Sequence, residues 1–357
     1  MKVLQVIPAF QVAGAEVMCE NLCYALSRQG CDVIAVSLYT EHTLITERLK
    51  QAGIRIIFLG KKEGFDFSVY RKLYHIVKKE KPDVVHSHIY AAHYALPVGV
   101  VCNVPARIHT VHSVAQQEQN AVGRLINKWM FQHFKVIPVA LSNEIRKTVM
   151  TVYNITEQCI PVVPNGVDLS KCEVKKSYAR GKTFRIIHVG RFADVKNHDL
   201  ILKSFAQFVQ GHPDAQLQLI GDGELEESMK SFARDLHIDQ AVNFMGRQKN
   251  VFSWLHDADL FILPSKYEGM PMSIIEAMGT GLPIITCSSG GVLDMLSNGY
   301  SAILIKPSVD NLCQAFEVLY NDKNLREMLG VHALNESKNY SSDMMAKQYI
   351  RVYSGQM

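Results

Sequence analysis

Short apolar runs alternate with longer segments of helical spacing along nearly the whole chain. Residues 3–7, 32–37, 55–59, 83–88, 106–111 and 139–142 are short and apolar, the pattern of strands buried on both faces. Between them, residues 16–28, 67–81 and 120–135 and a segment starting at Asn143 carry apolar residues at helical intervals. The alternation starts again at 184–189, passes through a helix near Asn197, and continues with runs at 216–220, 242–244, 260–263 and 282–286. Strands alternating with helices predict parallel sheets with helices on both faces. Two such series predict two doubly wound α/β domains, divided where Pro164, Asn165 and Gly166 mark a turn. Residues 341–356 predict a terminal helix with Ser342 or Asp343 as its cap.

The length of 357 residues suits two cores, and the 48% apolar content is that of a globular protein. A formal charge of +4 argues against a dedicated nucleic-acid binder. The charge is unevenly placed: residues 1–170 hold 18 Lys and Arg against 13 Asp and Glu, and the remainder holds 20 against 21. A basic first half favours an anionic membrane surface or a phosphate-bearing acceptor. The 67–81 helix carries Arg71, Lys72, Lys78 and Lys79, for which a solvated face is preferred over a membrane-surface role. Exposure of Trp129 and Phe131 would suit a lipid-linked acceptor or a membrane interface; most of the apolar residues of that segment are expected in the core. Eight cysteines without metal-ligand or Cys-x-x-Cys spacing read as buried thiols in a reducing cytosol. No run reaches the length of a membrane span, and the first ten residues read as a strand rather than a signal segment.

The stretch 259–286 carries the chemistry. A buried strand ends at Pro264, Gly269 allows a close turn, and Pro271 suits the first helical position. Ser273 to Met278 continues as helix, closed by Gly279 or Gly281. The N–H groups near Met270, Met272 and Ser273 lack intrahelical partners and form an anion site. Glu268 stands just before it, and Glu276 lies one turn beyond Met272 on about the same side. Carboxylates beside an anion site need hydroxyl partners, because an ionised carboxylate only accepts hydrogen bonds. A nucleotide sugar offers both phosphate and hydroxyls.

The frame Pro264-Ser265-x-x-Glu268-Gly269-Met270-Pro271…Glu276-Ala277-Met278 resembles the signature of retaining glycosyltransferases of family 4, the glycosyl transferases group 1. The resemblance covers nearly the whole chain. Gly190-Arg191-Phe192…Lys196 resembles the frame whose arginine and lysine hold the donor diphosphate. Charged contacts of about 1.5–3 kcal/mol would outweigh a helix dipole of about 0.3–1 kcal/mol there. Ala13-Gly14-Ala15-Glu16 resembles the family's Gly-Gly-x-Glu loop, with Ala13 in place of the first glycine and Gly14 as the close-approach residue. Thr110-Val111-His112-Ser113 resembles the frame of the acceptor-side histidine, Gly246-Arg247 the segment lining base and ribose, and 162–168 the interdomain hinge. His86 and His88 stand equally as packing residues or cleft wall. For Gly221 and Gly223, approach to a nucleotide and a plain strand–helix turn account equally well. Asp257-Ala258-Asp259 matches a metal-holding motif of other glycosyltransferases, but it caps the entry to a buried strand and is assigned to structure.

The resemblance implies a B-type glycosyltransferase fold, with two Rossmann-like domains facing across a cleft. Residues 1–168 form the acceptor domain, 169–340 the donor domain, and 341–357 a helix crossing back to the first domain. It implies a hexosyltransferase-like enzyme moving a sugar, with retention, from a nucleoside-diphosphate sugar (UDP-linked by preference) to a glycan or lipid-linked acceptor of surface polysaccharide. In that reading His112 and Glu268 act at the reacting centre. Gly14, Arg191, Lys196, Arg247, Gly269, Met270, Pro271 and Glu276 bind the donor, and no cofactor or metal is required. A cytoplasmic protein is expected, peripheral at the membrane face. The alternatives are a non-catalytic subunit that only holds nucleotide sugar, and an epimerase on the same fold. A dinucleotide dehydrogenase is disfavoured by the missing glycine fingerprint.

Overall fold

The computed structural model describes residues 1–11 and 13–356; Val12 in the first loop and Met357 at the end of the terminal segment lie outside the described residues. The chain forms two compact units, Met1–Val167 with Tyr340–Met357, and Asp168–Asn339. The sequence-based boundaries at 168 and 340 fall one residue later.

In the first unit, six strands pair in the order β3-β2-β1-β4-β5-β6. They are β1 Lys2–Ile7, β2 Asp32–Ser37, β3 Arg55–Phe58, β4 Val84–His88, β5 Ala106–Val111 and β6 Val136–Ala140. All pairings are parallel. The order reverses between β1 and β4, which opens a crevice at the strand carboxyl ends. In the register there, Gln5 stands opposite His86, and His88 opposite Thr110. The second unit repeats the plan, in the order β12-β11-β10-β7-β8-β9. Its strands are β7 Phe184–Val189, β8 Ala215–Ile220, β9 Val242–Gly246, β10 Leu260–Leu263, β11 Ile284–Cys287 and β12 Ile303–Ile305.

Two strands sit away from their expected spans, each for a local reason. The run 139–142 belongs to a strand that begins at Val136, because Ser142 turns to cap the next helix, its Oγ accepting from Ile145 N at 3.2 Å. The run 282–286 starts late because the Leu282 N–H closes the preceding helix onto the Ala277 carbonyl. The helix Ala92–Val101 went unread in the sequence: it is apolar nearly all round, so no amphipathic period marks it.

The terminal helix Ser342–Tyr353 belongs to the first unit, where it packs against helix Gly14–Arg28 and β5. Its cap is Ser341, whose Oγ accepts from Met344 N at 3.2 Å. The two residues expected as caps are engaged elsewhere: Ser342 Oγ and Asp343 Oδ1 take the Arg28 guanidinium at 3.0 and 2.8 Å. The segment 162–168 is tied to this helix by Val167 N donating to the Tyr340 carbonyl and Ser342 N donating to the Val167 carbonyl. Gly166 sits against that junction, where a Cβ would stand 2.7 Å from the Ser341 carbonyl oxygen and from Ser342 Cα. Gly166→Ala is expected to lower stability by about 1–3 kcal/mol in urea unfolding. Gly14→Ala, where an added Cβ meets nothing within 4 Å, is expected to leave stability unchanged or slightly raised.

Candidate active site

In the second unit, two loops at strand carboxyl ends are stitched together. After β7, Asn197 takes a left-handed φ of 61°, and its Nδ2 donates to the Pro264 carbonyl at 3.1 Å. Lys266 N donates to the Val195 carbonyl at 2.9 Å. This joinery brings Lys196 Nζ to 2.6 Å from Glu268 Oε1, with side chains only 19% and 10% exposed. A pair this close and sheltered is stronger than a surface ion pair, and removing one member leaves a desolvated charge. Glu268 Oε2 has no hydrogen-bond partner among the described residues.

Gly269 is not among the left-handed glycines. Gly290 is, with a φ of 61°, and an added Cβ there would sit 1.7 Å from the Glu268 carbonyl oxygen. Gly291 N donates to the same carbonyl at 2.9 Å. Only a glycine lets the 288–291 turn lie on the Glu268 backbone. Pro271 is the N-cap rather than the first helical residue, with an extended ψ of 120° and no side-chain acceptor for the first turn of helix Met272–Thr280. The N–H groups of Met272 and Ser273 are thus left for an anion. Met270 is buried just before them. Gly281, at φ 72°, closes the helix. Glu276 is half-buried, and burial pushes its carboxyl up to about 7.

Arg191 and Arg247 share an acidic turn that the sequence analysis did not assign to them. Arg191 Nη2 meets Glu224 Oε2 at 2.8 Å, and Arg247 Nη2 meets Asp222 Oδ2 at 2.8 Å. Both pairs are solvent-exposed and worth roughly 0.2–1 kcal/mol, so a polyanion can displace them. The glycines of that turn are explained by protein contacts: a Cβ on Gly221 would lie 2.0 Å from the Gly190 carbonyl oxygen, and one on Gly223 2.5 Å from that of Phe192. Asp259 accepts from Arg185 N at 2.8 Å through Oδ2, so this carboxylate holds the start of β7.

Gly14 and His112 belong to the first unit. Gly14 starts helix Gly14–Arg28, whose N-cap Ala13 offers no side-chain acceptor. Its φ is not left-handed, and among the described residues an added Cβ would meet nothing within 4 Å. His112 follows β5 directly. Its backbone N–H donates to Glu118 Oε1 at 2.8 Å, and its Nε2 lies 3.0 Å from His88 Nδ1. Burial, reinforced by His109, holds its ring down to about 3, so it is neutral near pH 7. His86 and His88 are wholly buried and bonded at both ring nitrogens, and the burial and neighbouring histidines hold them uncharged. Ile89 takes a φ of 52°, rare for a β-branched residue, as the chain leaves β4. Glu118 carried no motif in the sequence; only the short helix Ala115–Glu118 delivers it to His112.

Residues 12–171 match Glycosyltransferase Family 4, and residues 171–335 match Glycosyl transferases group 1. The chain belongs to the group 1, family 4 glycosyltransferases. It is 28% identical over 72% of its length to 71% of the Escherichia coli UDP-Gal:alpha-D-GlcNAc-diphosphoundecaprenol alpha-1,3-galactosyltransferase. It is 26% identical over 81% of its length to 79% of the Bacillus anthracis N-acetyl-alpha-D-glucosaminyl L-malate synthase. The solved structure of Anabaena Alr3699/HepE in complex with UDP and glucose superposes with a TM-score of 0.85 at 16% identity, covering 99% of each chain. That likeness shows the B-type glycosyltransferase fold. This glycosyltransferase is therefore an enzyme of the transferase class. Among the described residues, no helix is long and apolar enough to cross a membrane.

Glu276 gives a signed prediction. With its folded value raised to about 7, the stability tied to its neutral form is complete below the ordinary carboxylate range and lost as pH rises through 7. Glu276→Gln is expected to stabilise the protein by roughly 1–2 kcal/mol at about pH 8 and to be neutral at about pH 4, by denaturant unfolding. An equal effect at both values would refute the assignment.

Proposed function

We propose that this glycosyltransferase moves a sugar from a UDP-sugar, with retention at the anomeric carbon, to a glycan or lipid-linked acceptor in surface polysaccharide biosynthesis. The observation that carries the reading is the sheltered Lys196–Glu268 pair at 2.6 Å beside an uncapped helix start. Lys196, Arg191 after its release from Glu224, and the Met272 and Ser273 N–H groups converge on a diphosphate and stabilise the charge that grows as it leaves. Glu268 keeps Oε2 for sugar hydroxyls, together with the backbone of Gly269 and Met270. Glu276 takes the ribose and Arg247 lines the base side; the family resemblance also assigns Gly14 to the donor and His112 to the reacting centre. No residue is assigned as a covalent nucleophile. The family resemblance implies a front-side displacement, in which the departing phosphate takes the acceptor's proton. The names of the relatives support uridine and a lipid-linked acceptor: the Escherichia coli protein is a UDP-Gal enzyme of a diphosphoundecaprenol acceptor, and the Anabaena protein holds UDP.

The side chains supply the positive charge that a metal would otherwise bring, so turnover is expected to persist in excess EDTA. Complete loss that Mg²⁺ restores would overturn this and return Asp257 and Asp259 to consideration. Lys196→Ala and Arg191→Ala are each expected to lower turnover at least about tenfold, equivalent to roughly 1.4 kcal/mol of transition-state stabilisation. Unchanged rates in both would remove the assignment. Thermal-shift screening with a panel of UDP- and GDP-sugars identifies the donor, and the anomeric configuration of the product reports retention.

The same reading extends to peripheral attachment to a bilayer. Helix Ala121–His133 shows Val122, Leu125 and Trp129 to solvent on one face, the latter two 69% and 56% exposed; Phe131 is buried. The helix has no acidic residue and carries Arg124 and Lys128. Phe65 and Phe67 add a second apolar point, with Phe67 78% exposed. Both flank helix Ala92–Val101: Gly123 lies against His93, and Phe65 stacks on Tyr94. Exposed aromatics beside basic residues fit the interface of an anionic membrane. Leu125→Ser with Trp129→Ser is expected to abolish co-sedimentation with anionic vesicles while leaving the fold intact by circular dichroism. Binding that persists undiminished would contradict it.

A further inference from the structure

A hydrogen-bond chain runs through the first unit from the terminal helix to His112. Tyr353 OH lies 2.8 Å from His86 Nδ1 and receives Gln5 Nε2 at 3.2 Å. Gln5 Oε1 lies 2.8 Å from His88 Nε2, and His88 Nδ1 lies 3.0 Å from His112 Nε2. Gln5, His86 and His88 are fully buried, as are Thr110 and Tyr349, which complete the network at 2.7 Å contacts.

With the Gln5 amide placed as it is, its oxygen toward His88 and its nitrogen toward Tyr353, the chain of bonds fixes where the protons lie. An amide oxygen only accepts, so His88 Nε2 carries the proton given to Gln5. A neutral imidazole holds one N–H, so His88 Nδ1 is an acceptor and His112 Nε2 must donate to it. On Tyr353, the oxygen accepts from the Gln5 amide and gives its own proton to His86, which donates onward from Nε2 to Thr110. Each buried group of this network then has a partner. His112 is left with a bare lone pair on Nδ1, and no described residue bonds to that atom.

We propose that Gln5 is a positioning residue: its amide, oriented by Tyr353, holds His112 in the Nε2–H tautomer and presents Nδ1 as a hydrogen-bond acceptor to a hydroxyl of the bound sugar. An acceptor lone pair welcomes a hydroxyl and repels phosphate or carboxylate, so the group met by His112 is a hydroxyl. The last clause rests on the proposed function; the tautomer itself does not. A reversed Gln5 amide would invert both rings and make His112 Nδ1 the donor, which gives the test its two outcomes.

The test is long-range ¹H–¹⁵N spectroscopy on the full chain labelled with ¹⁵N-histidine, without ligand. The His112 signals are assigned by their disappearance in His112→Gln. The expected spectrum shows Nδ1 unprotonated and Nε2 protonated; a protonated Nδ1 overturns the proposal. Gln5→Met removes the amide at similar size and is expected to release His112 into a mixture of tautomers; an unchanged single tautomer overturns the role of Gln5. Tyr353→Phe gives the same comparison if Gln5→Met does not fold. In steady state, Gln5→Met is expected to lower kcat at least about fivefold, with donor KM within about twofold. Altered tautomers with unchanged kcat would instead sink the placement of His112 at the sugar.

Discussion

The pairing of Lys196 with Glu268 is the constraint around which the second unit is arranged. The two residues are separated by 72 positions in sequence and come from the loops after β7 and β10. Bringing opposite charges together out of water succeeds only with close geometry and further hydrogen bonds. The Asn197 contact with Pro264, the Lys266 contact with Val195, and the glycine at 290 lying against the Glu268 carbonyl provide them. In the proposed function the cation of this pair turns to a diphosphate while its carboxylate keeps one oxygen for hydroxyls.

The first unit meets the same difficulty with neutral groups. Its strand ends bury three histidines, a threonine and a glutamine, side chains that cost free energy if left unbonded. The terminal helix supplies the missing partners through Tyr349 and Tyr353. This gives its placement on β5 a chemical reason beyond the apolar area that it covers. It also links the last turns of the chain to the orientation of a single imidazole at the crevice.

Much of the architecture was legible in the alternation of apolar runs, because buried parallel strands must be apolar on both faces. The strands that strayed did so where a local competitor won: the Ser142 hydroxyl capping a helix, and the Leu282 amide closing one. The site was legible in part. The Glu268 frame and the Arg191 and Lys196 positions could be named from neighbours in sequence. The close approach at Gly290 was not read, since the need for glycine there arises from a backbone brought in from another loop. Asp222 and Glu224, the present partners of the arginines, lay in a turn that offered only its glycines as a signal. Glu118 and Gln5 had no signal at all.

By itself, the sequence determined the two strand–helix series, the helix start after Pro271, and the identity of the charged residues near it, because these follow from local periodicity and backbone chemistry. Tertiary structure alone decided which charges meet, which backbone Gly290 lies against, and which polar side chains join His112 in one chain of hydrogen bonds. Those outcomes depend on distances between residues far apart in the chain, and apolar pattern sets the layers of a fold without setting which polar atoms come within three ångströms of each other.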